Sequence, residues 1–209
     1  MILTRPEGRN EQLAARLRSF PSKLRVVIAP LIATEPIETA PVVLTGYDWL
    51  ILTSATGAHE LERRAAGQPR RVAAIGKATA DAWNAGVDLV PAVSTQEGLL
   101  AEIPRPAGRV LFAGAENARR LLVEELDADF VALYRTRAIA PTEPLHGDLV
   151  VLASPSAASS FAALGLSIPA VTIGPETTRA AEGLGVRVVE EAATYDTDGL
   201  VSAVLRASR

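Results

Sequence analysis

Short apolar runs recur along the chain, separated by stretches in which apolar residues return every three or four positions. The runs Ile2–Thr4, Val26–Ala29, Trp49–Thr53, Val72–Ile75, Val87–Val90, Val110–Phe112, Phe130–Leu133, Leu149–Ala153, Ala170–Ile173 and Val186–Val189 read as strands. The stretches Asn10–Arg18, Ala55–Arg64, Ala78–Asn84, Asn117–Leu126, Ser156–Leu164, Glu176–Gly183 and Thr197–Leu205 read as helices. Helices placed between strands that are apolar on both faces predict an α/β fold with parallel sheets.

Two segments break this alternation. Pro30–Pro41 and Arg135–Pro144 are proline-rich, alternate apolar with polar residues, and read as extended linkers rather than helices. An internal repeat explains why there are two. Asp48–Ala55 (DWLILTSA) resembles Asp148–Pro155 (DLVVLASP), and Val72–Thr79 (VAAIGKAT) resembles Val171–Thr177 (VTIGPET). Glu97-Gly98-Leu99-Leu100 likewise resembles Asp198-Gly199-Leu200-Val201. A period of roughly 100 residues means two related lobes rather than a short-unit solenoid. The expected parsing is a discontinuous lobe one at 1–30 and 145–209, a lobe two at 42–133, and linkers at 31–41 and 134–144 that pair as two strands.

Composition narrows the function classes. The 209 residues suffice for two small lobes, and with aromatics at 4% the core must rest on Val, Leu, Ile and Ala. A formal charge of -3 gives no support for nucleic-acid binding, so an anionic ligand would need local donors. The absence of Cys excludes disulfides, thiolate catalysis and Cys–zinc sites, and His59 and His146 lie too far apart for a local metal spacing. No metal is expected. The opening Met1–Glu7 meets charge early, and no apolar run reaches membrane-spanning length; a soluble cytoplasmic protein, not bound to a membrane, is expected.

Ligands of open parallel sheets bind beyond the carboxyl ends of strands. The polar residues of the repeat fall there: Thr53 and Ser54, Ser154 and Ser156, and the Gly-x-x-Thr units Gly76–Thr79 and Gly174–Thr177. Each reads either as a helix cap or, with the neighbouring backbone N–H groups, as a donor to a carboxylate or phosphate. Arg5 ends the first strand, placed either to fork onto a carboxylate or to pair with a surface Glu; Lys77 and Arg179 are similar. Tyr134 ends the strand before the return linker, as a phenol near the hinge or as an aromatic plug. No Gly-x-Ser-x-Gly, phosphate-loop Lys, early Gly-x-Gly-x-x-Gly or acidic magnesium cluster is present.

Leu3-Thr4-Arg5-Pro6, Leu52-Thr53-Ser54-Ala55, Ile75–Ala80 (IGKATA), Leu133-Tyr134-Arg135-Thr136, Ala153–Ala158 (ASPSAA) and Ile173–Thr178 (IGPETT), in this order and spacing, resemble the uroporphyrinogen-III synthase family along essentially the whole chain. The resemblance implies two flavodoxin-like lobes joined by a two-stranded linker, with the active site in the cleft between them. It implies hydroxymethylbilane as substrate, functional coupling to hydroxymethylbilane synthase, and neither metal nor organic cofactor. Tyr134 is then the proton donor for loss of the terminal hydroxyl. Arg5, Ser54, Ala55, Gly76, Lys77, Thr79, Ser154, Ser156, Gly174 and Thr177 are then the substrate-binding residues. The chain departs from the family pattern at Thr56-Gly57-Ala58 and at Ala153, where Thr is common. A non-catalytic binding module and a mononucleotide binder are the alternatives, and a monomer is expected.

Overall fold

A computed structural model describes residues 1–20, 24–37 and 40–208. Parts of the expected first lobe (21–23 and 209) and of the first linker (38 and 39) therefore lie outside the described residues. The chain divides into two compact units, one of Met1–Thr34 with Thr136–Arg209 and one of Glu35–Arg135. The elements run β1 (Ile2–Leu3), α1 (Glu11–Arg18), β2 (Val27–Ile28), β3 (Ile32–Pro36), β4 (Val42–Val43), β5 (Trp49–Leu52), α2 (Ala55–Glu62), β6 (Ala65–Ala66), β7 (Val72–Ala74) and α3 (Lys77–Ala80). They continue α4 (Gln96–Glu102), β8 (Val110–Ala115), α5 (Leu121–Leu126), β9 (Asp129–Ala138), β10 (Val150–Leu152), α6 (Pro155–Ala162), β11 (Ala170–Thr172), α7 (Pro175–Gly183), β12 (Val188–Glu191) and α8 (Thr197–Ala207).

In the first unit the strands lie in the order β12-β11-β10-β1-β2, all paired in parallel. Alternate side chains leave opposite faces of this sheet. Leu3, Val151 and Val171 pack with Leu13 and Leu17 of α1 and Leu200 and Val204 of α8. Ile2, Val150 and Leu152 pack the other way, against Ala157, Ala158 and Phe161 of α6 and Ala181 of α7. β10 and β11 are buried at every position, as parallel strands covered on both faces must be.

The other unit has the same plan. Its principal sheet runs β3-β9-β8-β5-β7, with β7, β5, β8 and β9 parallel. Leu50, Leu52 and Leu111 pack with Ala58 and Leu61 of α2; Trp49, Ile51 and Phe112 pack with Leu99 of α4 and Leu122 of α5. The repeat is visible in the pairing, since Leu52 stands opposite Ala74 as Leu152 stands opposite Thr172. β8 and β9 take the places held by β1 and β2 in the first unit. Both proline-rich segments are extended: β3 lies beside β9, and β9 continues through Arg135 to Ala138.

Three sequence expectations need correction. Val87–Val90 forms no strand, only an isolated bridge from Leu89 to Ala73. Gly86 turns the chain at φ 92° just before it, and the Asp88 carboxylate takes the Val72 N–H at 2.7 Å. Ala78–Asn84 shrinks to the single turn of α3, and Gln96–Glu102, not expected as a helix, forms α4.

Candidate substrate-binding site

The carboxyl edges of the two sheets gather most of the residues singled out by sequence, each in its own unit. In the Glu35–Arg135 unit, β5 ends and Ser54 caps α2, its Oγ accepting the Gly57 N–H at 3.0 Å. The pairs Leu52–Ala74 and Leu52–Ala113 set the register, so Ser54, Gly76 and Ala115 stand in one row two residues further on. A bulge in β9 completes that row. Gly114 pairs with Ala132 but Ala115 pairs with Tyr134, so Leu133 is skipped. Leu133 and Tyr134 consequently pack into the same cluster although strand residues in succession normally face opposite ways. The bulge thus aims the Tyr134 phenol at the capping serine, and the two hydroxyls share a hydrogen bond of 2.9 Å. Tyr134 is 8% exposed, so this is a buried phenol held by a polar partner.

Beside it, Gly76 opens α3, accepting the N–H groups of Thr79 and Ala80 at 3.0 Å each. Thr79 is buried, and among the described residues its hydroxyl has no protein partner. Ala55 is the half-exposed first residue of α2. Lys77 reaches outward, its Nζ 2.8 Å from both carboxylate oxygens of Asp81. That exposed pair partly neutralises the cation that sequence reading offered to a substrate.

In the first unit, β10 ends at Ser154, whose Oγ caps α6 by accepting the Ala157 N–H at 3.2 Å; Ser156 is half-exposed in the same turn. Gly174 opens α7, with Thr177 buried beneath it and, like Thr79, without a hydroxyl partner among the described residues. Arg5 leaves the end of β1, the strand next to β10. Its guanidinium is largely buried and forms no ion pair among the described residues; burial first, then the charge of Arg9, lower its pKa from the ordinary value. Arginine remains charged even so. Arg179, by contrast, pairs with Glu176 at 3.0 Å on the surface.

The sequence reading missed two residues. Tyr195 and Ser94 lie against the two turn glycines: a Cβ on Gly174 would stand 2.8 Å from Tyr195 Cδ1, and one on Gly76 2.9 Å from Ser94 Oγ. The available signal was their shared position, one residue before the side-chain caps Asp196 and Thr95.

The fold and these turns place the chain among duplicated parallel α/β proteins whose strand-end helix starts suit anionic small molecules. Residues 11–202 match the family described as uroporphyrinogen-III synthase HemD, and the chain belongs to the uroporphyrinogen-III synthase family. Its activity is that of a lyase-type cyclase of tetrapyrrole biosynthesis, and the substrate of the family is hydroxymethylbilane. The uroporphyrinogen-III synthase of Synechococcus elongatus is 26% identical, with 98% of this chain and 93% of that protein covered. A mutant uroporphyrinogen III synthase of the extremely thermophilic bacterium Thermus thermophilus shares the fold at a TM-score of 0.64 and 16% identity, covering 99% of this chain and 98% of that one. The uroporphyrinogen-III synthetase of Helicobacter pylori 26695 gives the same TM-score, identity and coverage. Among the described residues no helix is long and apolar enough to cross a membrane.

Proposed function

We propose that the chain binds hydroxymethylbilane by its carboxylates at the strand-end turns and closes it to uroporphyrinogen III with ring D inverted. The observation that carries this reading is the buried Tyr134 phenol, aimed by the β9 bulge at Ser54 in the row of turn residues. Tyr134 gives its proton to the departing hydroxyl, which leaves as water. The far pyrrole attacks the resulting azafulvene, and the spiro intermediate fragments and recloses as the inverted ring. Arg5 and the turns around Ser54, Ala55, Gly76, Lys77, Thr79, Ser154, Ser156, Gly174 and Thr177 hold the carboxylates and so fix the conformation that closes. No cofactor takes part.

The units are read as two flavodoxin-like lobes. Numbering the first unit's own strands along the chain gives the order 2-1-3-4-5, which supports this, and Arg5 and Ser154 then flank the switch point where such sheets bind ligands. Lobe one at 1–30 and 145–209, lobe two at 42–133 and paired linkers at 31–41 and 134–144 belong to the same reading. The enzyme acts as a cytoplasmic monomer, supplied with its unstable substrate by hydroxymethylbilane synthase.

The test is a coupled assay in which that synthase generates the bilane and the oxidised porphyrins are separated by isomer. Predominant type III product is expected; type I alone, from folded protein, would sink the reading. In the same assay Arg5→Ala should raise KM about tenfold with kcat within about twofold, the effect of a lost charge-assisted bond that is the same in ground and transition states. An unchanged KM would remove Arg5 from the site.

A further inference from the structure

Tyr195 is neither a helix cap nor a strand-end residue of the site. It sits in the loop between β12 and α8, directly before the cap Asp196, and is 38% exposed, one of the few large apolar side chains left open. Its ring lies so close to Gly174 that an added Cβ would meet Cδ1 at 2.8 Å, Cε1 at 3.0 Å and Cγ at 3.4 Å. Gly174 is nearly fully extended, at φ 169°, a backbone any residue adopts, so the ring and not the backbone makes glycine necessary there. Among the described residues the Tyr195 hydroxyl has no protein partner. The ring therefore stands partly open at the start of α7, against the glycine whose carbonyl accepts the Thr177 N–H.

The duplication supplies the contrast. Thr95 caps α4 as Asp196 caps α8, accepting from Gly98 N at 3.0 Å and Gly199 N at 2.7 Å respectively. The residue before Thr95 is Ser94, and it lies on Gly76 as Tyr195 lies on Gly174. One position, generated twice, thus carries a small hydroxyl in one unit and an aromatic ring in the other. A linear tetrapyrrole has two chemically different ends, and a duplicated protein can tell them apart only where its halves differ.

Resting on the functional reading above, we infer that Tyr195 is a substrate-contacting specificity residue, its ring forming the wall against which one pyrrole of the bilane packs while that pyrrole's carboxylate is held at the Gly174–Thr178 turn. A pyrrole bearing carboxylate arms presents an apolar face and a charged rim, which a half-exposed tyrosine over a helix start matches.

The experiment is steady-state kinetics of the full chain in the coupled assay, with thermal melts to verify folding. Tyr195→Ser, which copies the other unit, should raise KM about two- to tenfold, the range of an aromatic contact, with kcat changed less. Tyr195→Phe keeps the ring and should restore the wild-type KM. Gly174→Ala, which pushes the ring away, should raise KM in the wild type but add nothing in a Tyr195→Ala background, where no ring remains to be displaced. A wild-type KM in Tyr195→Ser, or a Phe variant as impaired as the Ser variant, would overturn the role of Tyr195. Type III product from the wild type in the same runs keeps that failure distinct from failure of the functional reading, which would leave only type I.

Discussion

Replacing Tyr134 by Phe should lower kcat about 100-fold, the lower end of what a positioned proton donor contributes, while KM and the fold stay near wild type. The expectation follows from where the phenol is. The ring packs in the core cluster with Leu52, Leu61 and Leu133, and Phe preserves that packing. Only the hydroxyl goes, and with it the 2.9 Å bond to Ser54. Ser54 keeps its other bond, from Gly57 N, so the α2 cap survives and stability should fall by only about 1 kcal/mol. Ser54→Ala is the complement: it costs about 1 kcal/mol through the lost cap and removes the 2.9 Å bond between the two hydroxyls. If the two hydroxyls act as a unit, the double variant is no slower than Tyr134→Phe alone. Because the bilane closes unaided to the symmetric product, the diagnostic readout is the type III fraction at limiting enzyme. Wild-type turnover and isomer ratio in Tyr134→Phe would remove the phenol from the chemistry.

How much of this was legible in the sequence depends on the range of the interaction concerned. Strands such as Trp49–Leu52 and Ala170–Thr172 were legible because burial on both faces leaves an unbroken apolar run. The caps at Ser54 and Ser154 were legible because capping is local, reaching three residues ahead. Val87–Val90 was misread because its apolar residues satisfy strand pattern, while Gly86 and the Asp88 carboxylate decide against a ladder. α4 was missed where its counterpart α8, with Gly199 at the same place, was read, because α4 has 7 residues against 11 and so shows too little of the helical period.

The site residues divide in the same way. Strand ends could be inferred from periodicity, but the contact of Tyr134 with Ser54 spans a sequence separation of 80 and depends on a bulge between Gly114 and Ala115 that no local pattern announces. Nor does charge alone place a cation. Arg5, Lys77 and Arg179 looked alike in sequence; in the structure Asp81 and Glu176 engage the latter two, and Arg5 remains without an ion pair among the described residues. The Gly-x-x-Thr glycines read in sequence only as parts of a cap or an anion-binding turn, and nothing local announces that Ser94 and Tyr195 pack against them. The duplicated turns thus differ at one position, with Ser94 against Gly76 in one unit and Tyr195 against Gly174 in the other.

The remaining glycines of the repeat have a different origin, and Gly98→Ala and Gly199→Ala should each destabilise the protein by about 3 kcal/mol, the upper end of the overpacking range. Both lie in the first turn of a helix, and both donate their N–H to the capping side chain. The chain entering each helix folds back over that turn. A Cβ on Gly98 would stand 2.0 Å from the Val93 carbonyl oxygen, and one on Gly199 2.0 Å from that of Thr194. The obstacle is backbone rather than the end of a flexible side chain, so either the entry loop must open or the cap must be lost. The loops concerned carry Ser94 and Tyr195, one residue beyond those carbonyls. The two substitutions therefore differ in function although they match in stability. Opening the Thr194 loop moves the Tyr195 ring off Gly174 and should raise KM for the bilane, whereas opening the Val93 loop moves only a serine. Denaturant melts would give the stability change and the coupled assay the KM. Equal stability losses with a KM effect confined to Gly199→Ala are expected. Near-wild-type stability in either variant would mean that the entry loop yields freely, and the packing explanation of these glycines would fall.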